Sequence, residues 1–134
     1  MEWRKEGDKM VVRLMRGEKI MATLSEFLDR TGIKGGLIQG IGAVDEAELG
    51  SFSIKEKRFN TRKFTGFYEL SSFLGTISET GIHAHAVFSN PDFKCIAGHF
   101  IEARIAVTGE FFITEMRKIR RADDKETGLS FMEL

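Results

Sequence analysis

A single cysteine, Cys95, excludes a disulfide framework within the chain and fits a reducing compartment, so a cytoplasmic location is expected. A single proline, Pro91, against 14 glycines points to long uninterrupted elements joined by tight turns. No run approaches the roughly 18 consecutive apolar residues of a membrane helix, so no membrane partner is expected. The opening residues, Met1 to Lys9, are charged and are not followed at once by a signal-type apolar core. Surplus charge is also absent, with 20 Lys plus Arg against 20 Asp plus Glu. A dedicated nucleic-acid binder usually carries a basic excess, because its affinity comes from neutralised phosphates. DNA contact would therefore fall to two local clusters. One is Lys55, Lys57, Arg58, Arg62 and Lys63; the other is Arg117, Lys118, Arg120 and Arg121. Their simpler reading is solvated turns and edges balanced by nearby acids. A neutral chain also gains little colloidal repulsion, which favours burial of surface in an oligomer.

What the chain does have is apolar residues, 42% of the total with 12 Phe among them, enough to build a core. Nothing marks an internal repeat or a second boundary, so residues 1–134 are expected to form one domain. Lys9 to Arg16 is rich in strand formers. Glu18 to Arg30 carries Ile20, Leu24, Phe27 and Leu28, the spacing of one buried helical face. Glu18 suits the start of that helix and Gly32 its C-terminal cap. From Gly35 to Val44 glycines load a predicted strand that Ala47 to Ile54 continues after a bend at Asp45-Glu46. The glycine spacing fits neither the dinucleotide fingerprint nor the Walker loop. Glycine inside a strand more often marks a bulge or the close approach of another backbone. Lys55 to Thr65 reads as a polar connection. Phe67–Ser78, Ile82–Ser89, Lys94–Glu102 and Ile105–Met116 read as four strands, and Leu129 to Phe131 as a last short one. The expected class is α+β, a largely antiparallel sheet sandwich with one principal helix.

The three histidines of the chain, His83, His85 and His99, all fall in one predicted hairpin. His83 and His85 stand two apart in a strand and leave the same face. Asn90-Pro91-Asp92 is a turn signal, since Pro presets φ and Asn and Asp bond their own backbone. A hairpin centred on Asp92 sets His85 opposite His99 and His83 opposite Ile101. Opposed Cβ atoms lie about 4.5–5.5 Å apart, so the three rings would converge. A slip of one residue would send His99 to the other face. Three neutral imidazoles suit zinc first and other divalent first-row metals next. In the same register Cys95 lies too far along the strand to be an easy fourth ligand, and Glu102 points away from His99. Each histidine taken alone has the simpler reading of a hydrogen-bonded structural residue.

Ile82-His83-Ala84-His85-Ala86, then Ala97-Gly98-His99-Phe100-Ile101-Glu102 and Thr108-Gly109-Glu110-Phe111-Phe112-Ile113, resemble the signature of the PPC (plant and prokaryote conserved) domain family. Arg13 to Glu18, Gly40 to Val44 and Leu70 to Gly75 stand where that family has its upstream motifs. The resemblance spans about Met10 to Ile113, with Ala97 where a second glycine is frequent and Phe100 where leucine is usual. It implies a homotrimer, a fold similar to that of α-acetolactate decarboxylase, which holds zinc with histidines, and a metal-ligand role for His83, His85 and His99. Fold likeness does not carry an activity with it. Plant members follow an AT-hook, a Gly-Arg-Pro element for A·T-rich DNA, and no such element occurs here. Three functions follow as expectations. The first is a trimeric metal-binding domain, with or without catalysis on a small oxygenated molecule. The second is a protein-interaction module with structural histidines. The third is a DNA-binding, transcription-associated protein.

Overall fold

Alternating hydropathy over Lys9–Met15 buries Met10, Val12 and Leu14 and leaves Lys9, Arg13 and Met15 outside, as a strand with one face on a core must. In the computed structural model, which describes residues 1–134, this strand is β2. It follows β1 (Glu2–Glu6) and precedes α1 (Ile20–Thr31), β3 (Gly36–Ser53), β4 (Arg58–Ser78), β5 (Gly81–Ser89), β6 (Cys95–Glu115), β7 (Arg120–Asp123) and β8 (Ser130–Glu133). The architecture is a mostly antiparallel sheet with a single helix, as expected for the α+β class. No helix is long and apolar enough to cross a membrane.

The main sheet has the order β1-β2-β6-β3-β4-β5, and β5 also pairs with β6. The sheet thus curls until β3, β4, β5 and β6 close on one another. β6 serves both sides of this closure. Its first residues, Cys95 to His99, pair with β5, and its later residues, Thr108 to Thr114, pair with β2. Register shifts in β3 between Gly40 and Gly42 and between Val44 and Glu46 supply the bend. The expected bend at Asp45-Glu46 is therefore present, within one continuous strand. Gly40 lies between Phe73 on β4 and Phe111 on β6, and the Phe111 ring occupies the place a Cβ would take. The glycine-rich segment thus accommodates close packing, as read from its spacing.

Ile20, Leu24, Phe27 and Leu28 of α1 are buried, and Gly32 caps the helix in the left-handed conformation at φ 74°. The helix packs on β5 and β6. Together with Phe73, Phe88, Phe100 and Phe111 these side chains join one continuous core.

Several sequence expectations need correcting. Arg58–Thr65 is not a connection: it pairs residue by residue with β3, from Ser53↔Arg58 to Glu46↔Thr65. Most of its side chains are exposed, so no hydrophobic alternation advertises the strand. Lys94–Glu102 and Ile105–Met116 merge into the single strand β6. Charged Glu2–Glu6 is an edge strand. Glu18 does not serve the helix start; its Oε2 accepts from the Met15 amide at 2.7 Å. That task falls to Glu102 on β6, whose carboxylate accepts from the amides of Met21 at 2.7 Å and Ala22 at 3.2 Å. A carboxylate here satisfies orphan donors and complements the helix dipole. We expect Glu102→Ala to cost about 1–2 kcal/mol in urea unfolding and to leave metal content unchanged.

Candidate metal centre

Burial alternates along β5. Ala84, Ala86 and Phe88 enter the core, while His83 and His85 stand on the outer face, both exposed. The Asn90 turn then reverses the chain. Asn90 Oδ1 accepts from the amides of Asp92 at 3.1 Å and Lys94 at 2.9 Å, and the Asn90 amide donates to the Lys94 carbonyl at 3.0 Å. The resulting register pairs His85 with His99, Val87 with Ala97 and Ser89 with Cys95, as the hairpin centred on Asp92 requires. The expected His83–Ile101 pair does not form. β5–β6 pairing ends at His85, and His83 lies instead beside Thr76 of β4.

The three rings meet in spite of this. Their centroids are 5.3 Å apart for His83–His85, 5.1 Å for His83–His99 and 5.5 Å for His85–His99. One nitrogen from each lies within 4.8 Å of the other two. Such a cluster could hold a metal ion, and the donor set fits a borderline divalent cation. His99 Nδ1 is buried with no hydrogen-bond partner. A buried unsatisfied polar atom costs about 1–3 kcal/mol, a cost that coordination through that atom would remove. Cys95 is exposed and Glu102 is engaged at α1, so neither joins the trio.

Burial, then the neighbouring His83 and His85, push His99 down to about 4. Burial, then the cation of Arg121 and His85, lower His83 as well. Both rings are thus neutral at neutral pH, the state in which imidazole binds metals. For the metal-free fold the sign follows from linkage. The unfolded chain binds protons at the ordinary histidine value of about 6.5, where folded His99 does not, so stability is full above that pH and falls as pH drops toward about 4. Solvent reaches the site and reduces the effect to about 1–2 kcal/mol. Urea unfolding of metal-free protein between about pH 7 and pH 5 should show this slope. A His99→Asn variant should flatten it relative to the parent.

The hairpin sequence did not reveal the walls around the trio. Phe59 of β4 stacks on His99, with centroids 4.4 Å apart and planes 29° from parallel. Gly50 of β3, paired with His99, makes room for that ring; a Cβ there would stand 3.0 Å from Phe59 Cδ1. The two-stranded sheet β7–β8 forms the other side. Arg121, which the sequence placed in a solvated basic cluster, instead turns inward. Its Nε donates to Ser78 Oγ at 3.1 Å, Nη1 to the Ser130 carbonyl at 2.7 Å and Nη2 to Thr76 Oγ1 at 3.3 Å. Together these groups enclose a pocket of about 710 Å³ over the histidines, open to solvent on one side.

The family profile of the Plants and Prokaryotes Conserved (PCC) domain matches residues 1–117. Among solved structures, a candidate DNA-binding protein from Bacteroides thetaiotaomicron is 30% identical, with a TM-score of 0.95, over 98% of this chain and 96% of that one. A plant- and prokaryote-conserved protein from Pyrococcus horikoshii is 26% identical, with a TM-score of 0.85, over 99% of this chain and 94% of that one. A metal-containing protein from Archaeoglobus fulgidus is 25% identical, with a TM-score of 0.85, over 100% and 99% of the two chains. No curated protein matches the sequence.

Proposed function

The chain belongs to the Plants and Prokaryotes Conserved (PCC) domain family, the PPC family of the sequence resemblance, and from that membership we propose that it is a metal-binding domain whose His83, His85 and His99 hold zinc or another divalent first-row ion. The observation that carries this reading is the convergence of three imidazoles, one with a buried unpartnered nitrogen, at the floor of an open pocket. The metal-containing relative from Archaeoglobus fulgidus supports it. A zinc ion with three protein ligands and a free position polarises a carbonyl or activates water, which suits a small-molecule ligand.

The second part of the proposal is a homotrimer. Across one row of the sheet, Phe112 of β6, Gln39 of β3 and Leu74 of β4 follow one another, and Leu74 in turn pairs with His85. Leu74 is 53% exposed, Phe112 49% and the nearby Ile41 56%. An outward apolar strip of this kind marks an association surface, and it runs up to the histidines.

Direct DNA binding is the competing reading, favoured by what the Bacteroides thetaiotaomicron relative is called. The basic clusters give it little support. Lys63 pairs with Glu48, Arg58 with Glu56 and Lys118 with Glu79, while Arg121 faces the pocket. Elemental mass spectrometry and light scattering on untagged protein, purified without chelator, test the proposal together. About one zinc per chain and three times the chain mass are the expected results. No metal after a zinc challenge would overturn the first part, and a monomer the second.

A further inference from the structure

Arg121 is a cation without an anion. No carboxylate lies within ion-pairing distance of its guanidinium: the nearby Glu79 pairs with Lys118 and accepts only from the backbone amide of Arg121. A guanidinium has five N–H donors. Three of Arg121's are spent on Ser78, Thr76 and Ser130, which fix its plane and leave two for another acceptor. The residue is half-buried, and Thr76, one of its partners, lies directly across from His83. Of the fifteen residues lining the pocket none is Asp or Glu. The lining instead adds the apolar side chains of Phe52, Phe59, Leu129, Phe131 and Met132. A half-buried cation in a pocket with no acid in its lining is a costly arrangement unless something negative enters with the ligand.

We propose that the pocket binds a small carboxylic acid with an apolar arm, its carboxylate on Arg121 and its arm against Phe59 and Phe131. The proposal rests on the metal-binding reading of the histidines, which line the same pocket as Arg121. The guanidinium fork matches a carboxylate in shape as well as charge. The apolar walls select an organic acid over inorganic phosphate, which would leave them wet. Arg121, Leu129, Phe131 and Met132 all lie beyond residue 117, where the match to the family profile stops. The β7–β8 hairpin is therefore the part of the chain that decides which acid fits, while the histidines come from within the matched domain.

The test uses the full chain, zinc-loaded and metal-free, titrated calorimetrically with 3-phenylpropanoate, its neutral amide 3-phenylpropanamide, and inorganic phosphate. Zinc content is measured separately on every sample. In the loaded protein the acid should bind at least about tenfold more tightly than the amide or phosphate. Arg121→Gln should erase that preference with zinc content unchanged. Because Arg121 also pins the hairpin, Phe131→Ala serves as a second variant. It should weaken the acid about fivefold and keep the preference over the amide. Equal binding of acid and amide, phosphate binding as tightly as the acid, or an Arg121→Gln variant that binds like the parent would each overturn the proposal. If no sample holds zinc, the metal reading fails by itself. The Arg121 Nη–Hη signals in the NMR spectrum of metal-free protein, recorded at low temperature, then decide. A shift with the acid and none with the amide supports carboxylate recognition, and no shift with either ends it.

Discussion

Zinc content should fall from about one ion per chain to below about a tenth when His85 is replaced by alanine. His85 is the member of the trio that the backbone ties to both others. It shares a strand face with His83 and is paired across the hairpin with His99. Losing it leaves two imidazoles, one on each strand, with no carboxylate among the pocket residues to replace it. Even groups one step removed from a metal cost about 10–100-fold in affinity when removed. Loss of a direct ligand should therefore cost more, at least about 1000-fold. The variant is also a clean one. His85 projects from the outer face, so the metal-free fold should change by no more than about 0.5 kcal/mol. Elemental mass spectrometry checks the first statement and urea unfolding the second. Full zinc occupancy in the folded variant would show that the trio is not the binding site.

Phe73→Ala should be the most damaging single change to the fold. The ring is 1% exposed and meets Phe100 edge-on at 4.9 Å and Phe111 edge-on at 5.4 Å. Truncating a buried Phe costs about 3–5 kcal/mol through lost transfer energy and the cavity left behind. Each edge-to-face pair adds about 0.5–1.5 kcal/mol beyond its area. A domain of this size is stable by only about 5–15 kcal/mol. The melting temperature should therefore drop by about 10–25 °C in calorimetry. Phe112 provides the contrast. It neighbours Phe111 in sequence but faces outward, half exposed, on the strip proposed for trimer contacts. Phe112→Ala should lower the mass seen in light scattering while sparing the fold of each chain. Equal melting losses at both positions would mean that the outward strip is part of the chain's own packing.

Much of this was legible in the sequence because two signals were local. The helix announced itself by the spacing of Ile20, Leu24, Phe27 and Leu28, and its end by Gly32. The hairpin register followed from one turn, and pairing by a period of two leaves no freedom once the turn is fixed. What escaped was non-local or masked by charge. Arg58–Thr65 looks like a loop because both of its faces are largely exposed, and only its pairing to β3 makes it a strand. Phe59 therefore could not be placed beside His99. Arg121 sits in a run of bases that resembles a solvated edge. Only hydrogen bonds to Thr76 and Ser78, more than forty residues away in sequence, draw it into the pocket. The helix-capping role of Glu102 was hidden for the same reason, since its partners lie about eighty residues back.

The closure of β5 onto β6 has a consequence for behaviour at high concentration. It leaves β1 as the outermost strand at its end of the main sheet, and a free strand edge is a template on which a second chain can polymerise. The exposed sequence Glu2-Trp3-Arg4-Lys5-Glu6 protects that edge, since four of its five residues are charged and an incoming strand would have to strip water from them. Growth by strand addition is thereby discouraged. The apolar strip of Ile41, Leu74 and Phe112 lies on a face of the sheet, where contacts can close into a finite assembly and fibres have no edge to extend.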